Sequence, residues 1–308
     1  MVMRWQTDVV TYDELAQTYL VPATNPIEGP VLPTSLARRL RDALEPIATQ
    51  GWWSRPVGER MDALGVETFA SYVWGRCASL GIPEPATVVA AFGVMEPSLI
   101  TALYLDGRAA AAREDILNAR ATGAALALGA VVDDDEADAM ATPLLAALGS
   151  LDVMGRPLFA GLRALPLSES ASGRLWQAAE MVREHRGDGH IAALVIADVG
   201  PVEANVLTEA WCGYPIGEYT VTRGFSPEAA TEAVGSLTRR GWLDEGSLTP
   251  AGITARLEIE EATDRSQSRL VELLGDECEV IIERASAVSE RLVAAEWFPP
   301  DPRKRAAG

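Results

Sequence analysis

Arg183-Glu184-His185-Arg186-Gly187-Asp188-Gly189-His190 is the stretch whose reading decides how this chain is divided. It holds both histidines of a 308-residue protein. Upstream, Leu175, Ala178, Ala179 and Val182 recur at helical spacing, so an amphipathic helix is expected over 174–186. Downstream runs His190-Ile191-Ala192-Ala193-Leu194-Val195-Ile196-Ala197, an apolar segment that periodicity alone assigns to neither helix nor strand. The neighbouring segments fit a helical module, so helix is preferred. Glycines on both sides of Asp188 read as a break between two helices. A break there would leave free backbone N–H groups at the second helix start, a natural anion site. Arg183 and Arg186 would add bidentate forks for a carboxylate, sulfate or phosphate.

Histidine exchanges protons near neutral pH, and Asp188 is placed to orient a histidine or act as base. A plainer reading stands beside this one. Asp188 caps the helix, the glycines make the turn, and the arginines pair internally with Glu180 and Glu184. His185 and His190 lie around two glycines with no cysteine near in sequence, so no metal and no cofactor are expected.

Working outward, composition narrows the function classes. The net charge is −18 and the one lysine is Lys304, within Arg303-Lys304-Arg305. Such a chain repels nucleic acid unless it segregates a basic face. Lysine-based Schiff-base chemistry elsewhere in the chain is excluded. The remaining positive charge is arginine, which suits bidentate binding of anions. Cys77, Cys212 and Cys278 lie far apart without CxxC spacing and read as buried thiols of a cytoplasmic protein. No apolar run reaches about 18 residues, so no transmembrane helix is expected. The first residues lack a signal-peptide core. The Ala/Arg/Gly-rich, Lys-poor usage resembles that of a high-GC bacterium.

The first 34 residues read as an arm, with a short helix starting at 11–16 and Pro22, Pro26, Pro30 and Pro33 keeping the chain extended. Ser35 is placed to cap a helix carrying Leu36, Leu40 and Leu44. Trp52-Trp53 sits in a break, either lining a pocket or anchoring the core. The segment 66–80 sets Phe69, Tyr72, Val73 and Cys77 on one side and encloses Gly75-Arg76. Glu96, among apolar residues just before Pro97, has two readings: a desolvated carboxyl with raised pKa, suited to acid/base work, or a helix-end residue paired with an arginine such as Arg76. A long alanine-rich helical region is expected over 106–128. Asp133-Asp134-Asp135-Glu136 opens another helix, either as a solvated N-terminus or as a metal site.

Further on, Pro201 starts a helix to Cys212. Ser226-Pro227-Glu228-Ala229 starts one to Arg239-Arg240-Gly241. Trp242-Leu243, Asp244-Glu245-Gly246-Ser247 and Leu248-Thr249 make a minimal hairpin. Helices are expected over 253–268 and 276–295.

The sequence Leu237-Thr238-Arg239-Arg240-Gly241-Trp242-Leu243, a short turn, then Leu248-Thr249-Pro250-Ala251-Gly252 resembles the winged helix of MarR-type regulators, over roughly residues 190–265. The stretch from Arg183 to Leu194, with Gly75-Arg76 and Glu260-Glu261-Ala262-Thr263-Asp264, resembles an actinobacterial family described as helix-turn-helix proteins, from about residue 35 onward. The resemblance implies a mainly α fold: a helical N-terminal half plus a C-terminal MarR-like winged helix with a small β-hairpin wing. The corresponding divisions are 1–34, 35–168, 169–265 and 266–308. The chain departs from DNA-binding relatives in placing Glu228 and Glu232 on the recognition helix and Asp244 and Glu245 in the wing, where basic residues are needed.

The expected function is a natural-product biosynthetic enzyme on a winged-helix scaffold that no longer binds DNA. Its substrate carries an anionic group, and acid/base catalysis acts on it. The resemblance implies one specific form, the aziridine-forming type of azinomycin biosynthesis, in which an amine displaces sulfate within one molecule. Expected catalytic residues are Glu96, Asp188 and His190; expected substrate-binding residues are Arg76, Arg183, His185, Arg186 and Trp53. Expected partners are an anionic small molecule, a partner or carrier protein, and a second copy in a homodimer, with no nucleic acid and no membrane. The alternative is a ligand-responsive MarR-like regulator binding DNA through 202–250; a third reading is a non-catalytic binding protein.

Overall fold

Ser35 begins the main body of the fold. Its hydroxyl accepts from the Arg38 N–H and caps α2 (Leu36–Ala48), as its position before Leu36 predicts. The computed structural model describes residues 12–20, 34–301 and 303. The expected extended segment with Pro22, Pro26, Pro30 and Pro33 lies outside the described residues, as does Lys304; α1 (Tyr12–Tyr19) precedes the gap.

After α2 come two short helices, α3 (Gln50–Trp53) and α4 (Arg55–Ala63), then α5 (Thr68–Cys77), α6 (Pro85–Phe92) and α7 (Pro97–Ala110). The region expected over 106–128 is helical, and it is divided between two helices. α7 ends at Ala110, Ala111 is extended, and α8 (Arg113–Gly129) starts afresh. Trp74 and Arg113 explain the break. The Trp74 indole N–H donates to the Ala111 carbonyl at 3.0 Å, and Arg113 Nε donates to the Ala78 carbonyl at 2.7 Å, so the chain is tied to α5 and its extension rather than continuing its own ladder. Asp133 caps α9 (Asp134–Gly149), accepting from Glu136 N–H, and Glu136 pairs with Arg291. This is the helix-start reading of the acidic run.

Then follow α10 (Pro157–Arg163), α11 (Ala171–Ile196), α12 (Pro201–Cys212), α13 (Glu218–Val221) and α14 (Pro227–Arg239). Ser226 caps α14 with Pro227 in its first turn, as expected. A hairpin pairs Leu243 with Leu248 and Asp244 with Ser247. Glu245 and Gly246 at its tip both have positive φ, 46° and 80°, the backbone of a type I′ turn. α15 (Pro250–Arg265), α16 (Ser268–Leu274) and α17 (Glu277–Ala294) complete the chain. The fold is mainly helical, with this one two-stranded sheet among the described residues. No single described helix is long and apolar enough to cross a membrane.

The central correction is at Gly187-Asp188-Gly189. There is no break: α11 runs through all three as part of a 26-residue helix. The helix N-terminus expected at His190, with its free N–H groups, does not exist. Only one of the two glycines has a packing reason. Gly189 faces the end of α15, where an added Cβ would come within 2.2 Å of Ser266 Oγ. Gly187 faces open space, where a Cβ would meet only Glu184 Oε2 at 3.7 Å. The two should respond oppositely to alanine. Gly187→Ala is expected to stabilise by about 0.5–1 kcal/mol through helix propensity, and Gly189→Ala to destabilise by about 1–3 kcal/mol through overpacking. Urea unfolding of both variants checks the pair of signs.

α11 also links two hydrophobic clusters. Leu175, Trp176, Ala178, Ala179 and Val182 join the large N-terminal core with α2, α5, α8, α9 and α17. Ala193 and Leu194 join a smaller core with Val206 and Leu207 of α12, Leu237 of α14, Leu243 and Ile259 of α15. Between those clusters the helix turns polar, and there the site lies.

Candidate functional site

Along α11, Glu180, Arg183, Gly187, His190, Ile191 and Leu194 recur on one face, at the three- and four-residue spacings of a helical stripe. They form one wall of a cavity of about 310 Å³. α2 contributes Arg41 and Glu45, α5 Tyr72 and Arg76, α8 Arg120, and α15 Arg256. Trp52 and Trp53 of α3, Phe69, Phe92 and Tyr219 supply an aromatic side. Arg223, after α13, and Phe298 and Pro299, beyond α17, also line it. Seven arginines and two glutamates therefore line one cavity of a protein whose net charge is −18.

Buried acids behind the walls hold these arginines in place. Glu184 accepts both Arg76 Nε and Nη2 at 2.7 Å, and Arg183 Nη1 at 2.7 Å. Burial alone would raise the Glu184 pKa, but Arg76 and Arg183 hold it down at about 2. Glu260 is a second hub. Its carboxylate takes Arg38 at 3.1 Å, Arg186 at 3.0 Å, and Arg256. Burial again opposes ionisation there, and Arg256 and Arg186 outweigh it, keeping the acid well below the usual carboxylate range. Asp264 adds a second partner for Arg186 at 3.2 Å.

The two glutamates that line the cavity are less saturated. Glu180 pairs with Arg120 through Oε1, while Oε2 is buried and accepts no hydrogen bond. Burial, helped by the neighbouring Glu184, raises its pKa despite Arg120. Glu45 takes Arg183 Nε at 3.3 Å on Oε1, while its Oε2 is 3.7 Å from Arg41 and accepts no hydrogen bond. Burial opposes ionisation of Glu45, and Arg41 with Arg183 lowers its pKa nonetheless.

Of the residues singled out in the sequence, Arg76, Arg183, Arg186, His190 and Trp53 line this cavity together. His190 is neutral: burial drives its pKa down to about 3, and Nδ1 meets Thr263 Oγ1 at 2.9 Å. Three others lie elsewhere. His185 points to the opposite side of α11, where Nδ1 meets Gln267 Oε1 at 2.8 Å and the ring packs edge-on against Phe159, and burial lowers its pKa to about 4. Asp188 faces α10 and accepts from the Phe159 N–H at 3.1 Å. Burial raises its pKa to about 6, yet it is on the far face from the cavity. Glu96 caps α7, accepting from Leu99 N–H at 2.7 Å and Ser98 Oγ at 2.5 Å. Its modest burial would raise the pKa, but those donors lower it, so the expected raised value is corrected. Nor does Glu96 pair with Arg76, which binds Glu184. The plainer reading of the stretch is half right: Arg183 pairs with Glu184, whereas Glu180 pairs with Arg120.

Glu45, Glu180, Arg120 and Arg256 were not singled out in the sequence as site residues. The i, i+4 pair Arg41/Glu45 and the polar stripe from Glu180 carried the signal. The stripe becomes visible only once α11 is continuous.

A family model described as a helix-turn-helix family matches residues 37–299. The chain belongs to this helix-turn-helix family. The match runs from α2 to Pro299, so it spans every cavity-lining residue from Arg41 onward as well as α12–α14. No curated protein and no solved structure matches the chain significantly.

Proposed function

We propose that this helix-turn-helix family protein is a small-molecule enzyme that binds an anionic substrate group among the cavity arginines. The observation that carries this is a guanidinium-lined, partly aromatic cavity beside a buried carboxylate with one oxygen lacking a hydrogen-bond donor. Arginines held by Glu184 and Glu260 are preorganised, so binding an anion costs little reorganisation. Glu180, with its raised pKa, takes the role of proton acceptor; this replaces the roles expected for Glu96 and Asp188. His190, neutral and tied to Thr263, orients rather than titrates. The sulfate-displacing, aziridine-forming reaction implied by the sequence resemblance is one member of this class, with Glu180 taking the proton as the leaving group departs toward the arginines.

In this reading α12–α14 and the hairpin are a winged helix that no longer serves DNA. Arg240, at the end of α14, is committed inward: it donates to the carbonyls of Ala197 and Asp198 at 3.0 and 2.7 Å and stacks 3.7 Å from the Trp242 ring centroid. Glu228, Glu232, Asp244 and Glu245 are exposed on that side. This weakens the alternative of a MarR-like regulator, because phosphate neutralisation supplies most DNA affinity.

Two measurements test the reading. Sodium sulfate should raise the thermal midpoint by several degrees over sodium chloride at equal ionic strength, and Arg183→Ala should abolish most of that difference. Equal midpoints in the two salts would remove the anion site. A gel-shift titration at low salt against the flanking promoter DNA should show no discrete complex; tight, sequence-selective binding would favour the regulator.

A further inference from the structure

Four buried polar atoms along this cavity make no hydrogen bond among the described residues, and they divide by sign. Glu45 Oε2 and Glu180 Oε2 accept no hydrogen bond; Arg186 Nε and Arg256 Nε donate none. Their residues are only 8, 3, 3 and 4% exposed, so bulk water does not satisfy them. A buried polar group left unsatisfied is costly, and such groups in a native fold ask for a missing ligand. Two orphaned acceptors ask for N–H or O–H donors; two orphaned donors ask for an anion.

We propose that the cavity takes a small zwitterion, its ammonium end held by Glu45 and Glu180 and its anionic end by Arg186 and Arg256. This rests on the anion-binding reading above and adds the cationic end and its place. The helix sets the layout. Glu180 and Arg186 are six positions apart on α11, roughly 9 Å along its axis, so the two ends are offset and a spacer joins them. Gly187 lines the wall without a side chain, leaving room beside Arg186. Trp52 and Tyr72, with ring centroids 5.0 Å apart, offer the spacer an apolar face.

The layout excludes two simpler ligands. A bare inorganic anion would leave both glutamate oxygens orphaned. A bare alkylammonium would leave both arginine Nε atoms orphaned. Only a molecule carrying both charges satisfies all four.

Three probes of matched length separate these cases: 6-aminohexanoate, hexanoate and hexylammonium, each titrated calorimetrically into the full chain. The expected result is 6-aminohexanoate binding at least tenfold tighter than hexanoate. Glu180→Gln should weaken 6-aminohexanoate about tenfold and leave hexanoate unchanged, and Glu45→Gln should do the same if Glu180→Gln compromises folding. Thermal melts report on folding in both variants. Hexanoate binding as tightly as 6-aminohexanoate, with neither glutamine variant discriminating, overturns the zwitterion and leaves the anion site standing. Failure of both hexanoate and sulfate to bind overturns the two together.

Discussion

Replacing Glu260 with alanine should destabilise the protein by about 3–5 kcal/mol, the largest effect expected of a single substitution here. Glu260 is 1% exposed and serves Arg38, Arg186 and Arg256 at once. Its loss strands three buried guanidiniums around a hole, with Asp264 and Asp42 left as partners for only two of them. Glu260→Gln keeps the volume and one acceptor oxygen, so its cost should be smaller. Urea unfolding of the two variants and the parent checks this. A loss below about 1 kcal/mol for alanine would mean that the hub is solvated and the cavity far looser than described.

The second large effect is pH. His185 is buried and His190 half-buried, and desolvation keeps both neutral, with folded pKa values near 4 and 3 against an ordinary 6.5. Between 6.5 and those values the unfolded chain binds more protons, so stability falls as pH falls. Asp188 acts the other way. Its folded pKa near 6 exceeds the ordinary 3.8, so the folded state binds the extra proton between those values and gains stability as pH falls through 6. Glu184, held at about 2, adds a loss as pH drops below about 4.5. At about 1.4 kcal/mol per pKa unit, two histidines outweigh one aspartate by a few kcal/mol near pH 4. The urea midpoint should therefore hold steady between about pH 7 and 8.5 and decline from 6.5 to 4. The His185→Gln/His190→Gln double variant should flatten that decline. An unchanged slope in the double variant would mean that the histidines are protonated in the fold.

Much of the helical layout was legible because its signals are local. Ser35 and Ser226 cap helices where their positions predict, Pro201 and Pro227 open helices, and Glu245-Gly246 tips the hairpin. The α11 reading failed because glycine is ambiguous. The same residue serves a turn or a close helix contact, and only the proximity of Ser266 to Gly189 decides between them. The division at Ala111 was illegible for a related reason: the carbonyl that stops α7 is taken by Trp74, 37 positions earlier. The site was half legible. Arginines suited to anions were identifiable by type. Which acids saturate them and which keep an oxygen free depends on α2, α8, α11 and α15 coming together, and no spacing encodes that. Glu96 looked desolvated from its neighbours, yet a helix cap determines its charge.

α17 closes the fold against α2, and the Ser289 hydroxyl donates to the Ala43 carbonyl across 246 positions of sequence. During synthesis, α2 can pack on α11 beforehand, but the face that α17 covers stays bare until the last long helix has been made. Contacts of such long sequence separation slow folding and expose surface in the interval. The nascent chain should depend on chaperones until α17 appears, and a truncation before residue 277 should yield aggregates rather than a smaller folded domain.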